Sequence, residues 1–181
     1  MKELTEQTLS EEIKYEGRIL NLRVDKVKLQ DNTEAFREVV EHSGGVCVVA
    51  FDENDALLMV RQFRYPFNEI TWEIPAGKKN KDEDPKDCGQ RELLEETGYV
   101  SNDLELLGTL YPTPAYDSES IYIYYAKNLK KDKQKLDDGE FLAVEHVPFE
   151  KAVDMVMNGQ IKDAKTQIAI LKIKTLRDKN K

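Results

Sequence analysis

Apolar and polar residues alternate along GRILNLRVDKVKL (17–29), the two-residue period of a strand with one covered face. The polar turn QDNTEA follows, and REVVEH resumes the extended pattern before a Gly44–Gly45 break. VCVVAF (46–51) is apolar on both faces, which predicts a strand at the centre of a sheet. A DEND turn separates it from a strand over 56–64, and EITWEIPAG reads as one more short strand ending at Gly77. The period then changes. Asp84 suits an N-cap, Pro85 the first helical position and Asp87 the positive helix end, while Gly98 supplies the stop. LELLGTLYP, ESIYIYYAKNL and EFLAVEHVPF read as strands; PFEKAVDMVMNG and DAKTQIAILKIKTLRDK read as helices. Strands interleaved with helices predict an α/β/α sandwich with a mixed sheet, preceded by an N-terminal antiparallel strand region.

Composition narrows the setting. The 181 residues suit one domain, expected over 1–181, with N-terminal strands over about 1–42 and a core over 43–181. No apolar run approaches the length of a bilayer span, and MKELTEQTLSEEIKYEG has no apolar stretch of a secretory leader, so no membrane association is expected. Two cysteines without metal-ligand spacing point to a reducing, cytoplasmic setting. Thirty-five acidic against 27 basic residues give a formal charge of −8, which argues against a nucleic-acid surface. Phosphorylated small molecules stay compatible if a divalent metal ion first neutralises the site.

RELLEETG (91–98) carries the chemistry. On a helix, Glu92, Glu95 and Glu96 project broadly one way, and such crowding is unfavourable unless a cation relieves it. Clustered carboxylate oxygens suit hard divalent ions, Mg²⁺ above all when phosphate oxygens complete the shell. A solvated acidic face, with Arg91 pairing to Glu95, is the plain alternative. Gly77, five residues, Glu83, seven residues, then Arg91-Glu92-Leu93-x-Glu95-Glu96-x-Gly98 resembles the Nudix box, the signature of Nudix hydrolases. Tyr99 stands where that family usually has an aliphatic residue.

The resemblance implies an α/β/α Nudix fold and Mg²⁺-dependent hydrolysis of a diphosphate, with Mn²⁺ a possible substitute. It makes Glu92 and Glu96 the main metal ligands, with Glu95 as ligand or base and the Ala76 carbonyl as a further ligand. Arg91 orients the cluster, Glu83 ties the loop to the helix, and Gly77 and Gly98 are backbone devices. YPTPAYDSE resembles an element of ADP-ribose pyrophosphatases and nucleoside diphosphate sugar hydrolases, with Pro114 in the loop and Glu119 at the terminal ribose; Ala115 replaces the usual glycine. By the same resemblance Arg64 in VRQFRYP contacts the diphosphate, and Arg37 and Glu38 in REVVEH reach the nucleotide across a homodimer interface. LDDGEFLAVEHV resembles the late loop that brings in a catalytic carboxylate, Glu140 in the first place and Asp138 in the second. The expected substrate is thus ADP-ribose or a related nucleotide sugar. A nucleoside triphosphate pyrophosphohydrolase and a non-catalytic nucleotide-sugar-binding regulator are the other readings.

Overall fold

A computed structural model describes residues 4–179, so residues 1–3 and 180–181 of the expected 1–181 domain lie outside the described residues. The described residues divide into two compact units, one running to Gly44 and including Tyr111–Ser120, the other formed by Gly45–Leu110 and the residues from Ile121 onward.

The first unit is an antiparallel meander of β1 (Gln7–Glu16), β2 (Asn21–Lys28) and β3 (Glu34–Glu41). In β2 the buried residues are Asp25 and Val27, while the apolar Leu22 and Val24 on the other face are half-buried, so the covered face does not follow the apolar alternation through the whole strand. The pairing of β1 with β2 has register irregularities between Thr8 and Ser10 and between Ile13 and Tyr15. All ten β1 residues are exposed. The 111–120 segment is laced to β3, with Val40 N donating to Tyr116 O and Ser118 N donating to Val40 O.

In the second unit, β4 (Gly45–Ala50) is entirely buried, as its two-sided apolar pattern predicts. It pairs in parallel with β10 (Ile121–Lys127) and antiparallel with β7 (Ala76–Lys78), and β9 (Asp103–Leu110) completes the sheet order β7-β4-β10-β9. A second sheet has the order β12-β5-β6, with β5 (Ala56–Arg64), β6 (Glu69–Glu73) and β12 (Leu142–Pro148). β8 (Tyr99–Val100) and β11 (Lys130–Lys131) form a short pair that the charged local sequence does not announce. The helices are α1 (Pro85–Thr97), α2 (Phe149–Met157) and α3 (Ala164–Lys179).

Side-chain alternation along β4 sorts the layers. Val46, Val48 and Ala50 pack with Cys88 and Leu93 of α1. Cys47 and Val49 pack with Ala152 and Met155 of α2 and Ala169 and Ile170 of α3. Helices therefore cover both faces, the expected α/β/α sandwich. Complete burial of Leu57, Leu58 and Met59 on β5 contributes about 1.5–3 kcal/mol per side chain.

EITWEIPAG is not one strand. β6 ends at Glu73 and β7 begins at Ala76 in the other sheet. Pro75 has no N–H to continue the ladder, while its carbonyl accepts from Val48 N and Ile74 N donates to Thr166 Oγ1. The chain changes sheets there and delivers Ala76 and Gly77 beside α1. Among the described residues no helix is long and apolar enough to cross a membrane.

Candidate active site

The site grows from α1. Asp84 Oδ1 accepts from the amides of Lys86 and Asp87, fixing the helix start. Gly98 ends it at φ 72°, with its N–H donating to Leu94 O. A Cβ at Gly98 would press on the Gln134 backbone nitrogen, so both φ and space call for glycine.

Arg91 is the organiser. Its Nε and Nη2 hold Glu83 at 2.9 and 3.0 Å, and its Nη1 donates to Glu92 at 2.6 Å and Glu95 at 2.9 Å. Glu83 also accepts from Asn80 N, so it ties the loop to the helix. The bonds from Arg91 hold the Glu83 carboxyl at about 2.

Glu92 and Glu96 behave in the opposite way. Both are buried, and burial is the largest influence, pushing Glu92 to about 7 and Glu96 to about 8. Arg91 only partly relieves Glu92, and Glu96 accepts one backbone bond, from Ala76 N at 2.9 Å. The charge of Glu140 raises both further, which places Glu140 of the 136–140 loop in electrostatic reach of the pair. Asp138 sits in an exposed turn of the same loop. Gly77 is the cradle: a Cβ there would fall inside the Glu92 carboxylate.

The donor set fits a hard divalent cation, because two buried carboxylates with raised proton affinity share too little positive charge from the protein and an oxygen-binding cation supplies the rest. Among the described residues no three acidic, His or Cys side chains converge closely enough to hold a metal ion in their present rotamers. Arg91 draws Glu92 and Glu95, and the Ala76 amide holds Glu96, so coordination requires these side chains to turn from their protein partners.

Arg64 ends β5 and grips Glu73, with Nε and Nη2 at 2.7 and 2.6 Å from its two oxygens. It lines a cavity of about 540 Å³ with Phe67, Thr71, Lys162 and Lys165. Glu73 also accepts from Thr71 Oγ1 and from Lys165 Nζ, both at 2.6 Å. Glu73, Asp163, Lys165 and Thr166 are not among the site residues expected from the sequence. The signal was present in a lone acid beside the apolar Ile74-Pro75 and in an Asp three residues before a Thr at a helix start.

The remaining expected residues belong to the first unit. Arg37 is half-buried and held by Glu6 at 2.9 and 2.6 Å. Glu38 lies opposite Val24 in the β2–β3 ladder. Pro114 occupies the turn in which Asp117 N donates to Thr113 O, and Glu119 faces His42 Nδ1 at 3.2 Å. Tyr99, the unusual residue of the motif, is buried with Leu93 and meets His146 edge-on at 6.2 Å, filling the volume of an aliphatic side chain.

A NUDIX domain pattern matches residues 41–167, and a nucleoside diphosphate sugar hydrolase N-terminal domain pattern matches residues 6–40. The chain belongs to the Nudix family. An ADP-ribose pyrophosphatase of Bacillus subtilis (strain 168) is 37% identical over 172 residues, 94% of this chain and 93% of the relative. A methanol dehydrogenase activator of Bacillus methanolicus is 37% identical over 167 residues, 91% and 90% of the two chains. A GDP-mannose pyrophosphatase of Yersinia enterocolitica is 30% identical over 146 residues, 75% of each. The crystal structure of an ADP compounds hydrolase shares the fold at TM-score 0.86 and 20% identity, covering 99% of this chain and 98% of that one. The chain is a Nudix hydrolase, and Nudix hydrolases generally use a divalent metal ion.

Proposed function

We propose that this Nudix hydrolase cleaves the diphosphate of ADP-ribose or a related nucleoside diphosphate sugar to a nucleoside monophosphate and a sugar phosphate. The observation that carries the reading is the pair Glu92 and Glu96, buried together with too little positive charge from the protein itself. Glu92, Glu96 and the Ala76 carbonyl hold the cation, Mg²⁺ with Mn²⁺ as substitute, and Glu95 joins them as ligand or base. When bound, the cation neutralises diphosphate oxygens and lowers the pKa of water. Arg64 fixes the diphosphate by its exposed edge, which limits the poses from which water attacks phosphorus. Glu140 accepts the proton of the attacking water, with Asp138 the second choice. Arg91, Glu83, Gly77 and Gly98 hold the loop–helix–loop in place. Arg37, Glu38, Pro114 and Glu119 recognise the nucleotide and the ribose.

The protein works in the cytoplasm as a homodimer joined through the N-terminal strands. Support comes from Leu9, Ile13, Tyr15 and Phe36 on those strands, 43–68% exposed in the single chain, and from two free, buried cysteines suited to a reducing compartment. Light scattering that finds only monomer at assay concentration refutes the dimer.

The test of activity is phosphate release, through an added phosphatase, from ADP-ribose, nucleoside diphosphate sugars and nucleoside triphosphates, each with Mg²⁺ and with EDTA. Metal-dependent turnover led by ADP-ribose or a nucleotide sugar is expected. Turnover of triphosphates alone overturns the substrate class, and tight binding without turnover makes the protein a sensor.

A further inference from the structure

Behind Arg64 lies a polar network that none of the assigned roles explains. Glu73 is 2% exposed and accepts hydrogen bonds from Arg64, Thr71 and Lys165. The Lys165 side chain, 12% exposed, bridges Glu73 Oε2 at 2.6 Å and Asp163 Oδ1 at 2.9 Å. Asp163 caps α3 by accepting from Thr166 N at 2.9 Å and from Thr166 Oγ1. Thr166 Oγ1 in turn accepts from Ile74 N at 2.9 Å, two residues before Ala76. The first turn of α3 thus reaches Arg64 through Glu73 and the β6–β7 passage through Thr166.

The charges close as a group. Arg64 and Lys165 are two cations; Glu73 and Asp163 are two anions. Glu69 and Lys162, which share the cavity wall, pair with each other at 2.8 Å. Remove Lys165 and the assembly becomes net negative, with Glu73 left to compete undivided for Arg64. With Lys165 in place, Arg64 Nε and Nη2 are fixed, while Nη1 has no hydrogen-bond partner among the described residues and stays available to an anion. A side chain with rotamer freedom already removed binds an anion at lower entropic cost.

We propose that Lys165 is a positioning residue which, through Glu73, fixes the guanidinium of Arg64 and preserves its positive field for the substrate diphosphate; this rests on the reading of Arg64 as the diphosphate contact. Lys165 touches no reacting atom. Its effect belongs in substrate affinity and disappears when Arg64 is absent, whereas a residue that only stabilises the fold acts independently of Arg64.

The experiment is a double-mutant cycle on the full chain, reading kcat and KM for ADP-ribose and the Kd of ADP by calorimetry. Lys165→Met is expected to raise KM and Kd about tenfold with kcat within about twofold, and Lys165→Arg to recover most of that loss. In an Arg64→Ala background, Lys165→Met adds no further change. An equal effect with and without Arg64, or a loss confined to kcat, overturns the proposal. If Lys165→Met shows no cooperative thermal transition, Glu73→Gln is compared with Glu73→Gln/Lys165→Met, which removes the buried pair as a unit. Equal KM in those two is expected, and a further tenfold rise overturns the relay. Failure of the wild type to turn over any nucleotide sugar defeats the proposed function, and the ADP affinities then decide the role of Lys165 by the same cycle.

Discussion

Glu73 and Glu96 are the same residue type, 2% and 3% exposed, in one unit of one chain, yet their carboxyls move in opposite directions. Burial works against ionisation at both. At Glu73, hydrogen bonds from Arg64 and the charge of Lys165 overcome it and hold the group at about 2. At Glu96 burial prevails: one backbone N–H from Ala76 is opposed by Glu92, Glu140 and Glu73, and the group rises to about 8. The first region brings its own cations and is complete. The second gathers anions around a single Arg91 and leaves the rest of the compensation to something outside the chain. Clustered acids in sequence do not distinguish these cases; what distinguishes them is whether the fold places a Lys or Arg against each buried oxygen.

The largest expected break in this comparison comes from Glu96→Gln. Removing the charge that waits for a cation is expected to lower kcat/KM at saturating Mg²⁺ by about 10³-fold or more. The thermal midpoint in EDTA above about pH 8, where the metal-free carboxyl ionises, should stay level or rise, since a buried uncompensated carboxylate has been made neutral. Near-normal turnover would remove Glu96 from the metal site.

The next effect is on stability against pH, and Glu73 and the Glu92–Glu96 pair have opposite signs, with Glu83 adding to the Glu73 limb. The Glu73 pKa is depressed from 4.5 to about 2, so its contribution is present above about pH 4.5 and is lost as pH falls toward 2, on the order of 3 kcal/mol in total. Glu92 and Glu96 are raised, so between about pH 4.5 and 8 the folded chain binds more protons than the unfolded chain and loses stability as pH rises. Denaturant melts in EDTA across pH 2–9 check both limbs. Mg²⁺ is expected to flatten the upper limb and leave the lower one unchanged, and an upper limb that survives saturating Mg²⁺ would contradict the role given to the two glutamates.

The smallest effect tests an ion pair away from both regions. Arg177 grips Asp55 at 2.7 and 2.6 Å and stacks on Phe51 and Phe149 at 4.3 and 4.4 Å. Arg177→Ala is expected to cost about 1 kcal/mol of stability, through lost stacking as much as charge, and to leave kcat and KM unchanged. A changed KM would mean that ion pairs throughout this unit bear on the site and that the network at Arg64 is not special.

The central strand, the capped α1 helix and the loop–helix–loop motif were legible because each rests on local rules: two-sided apolarity at 46–51, Asp84 and Pro85 at a helix start, and acids at helical spacing. β1 was not legible because Leu9, Ile13 and Tyr15 are its only apolar residues and all ten positions stay exposed, so no covered face imprints a pattern on it. EITWEIPAG was misread because a proline that ends one ladder and permits a change of sheet looks locally like a strand end. The network around Glu73 was missed because its members stand up to 92 positions apart, as in the Glu73–Lys165 bond.

By itself, the sequence determined the layered class, the helix boundaries of α1 and the crowding of Glu92, Glu95 and Glu96, because short-range periodicity and capping chemistry encode all three. Only the tertiary structure decided which acids stay uncompensated. Ionisation of a buried carboxylate depends on what lies within a few ångströms in space, and for Glu73 and Glu96 those neighbours come from strands and helices distant along the chain.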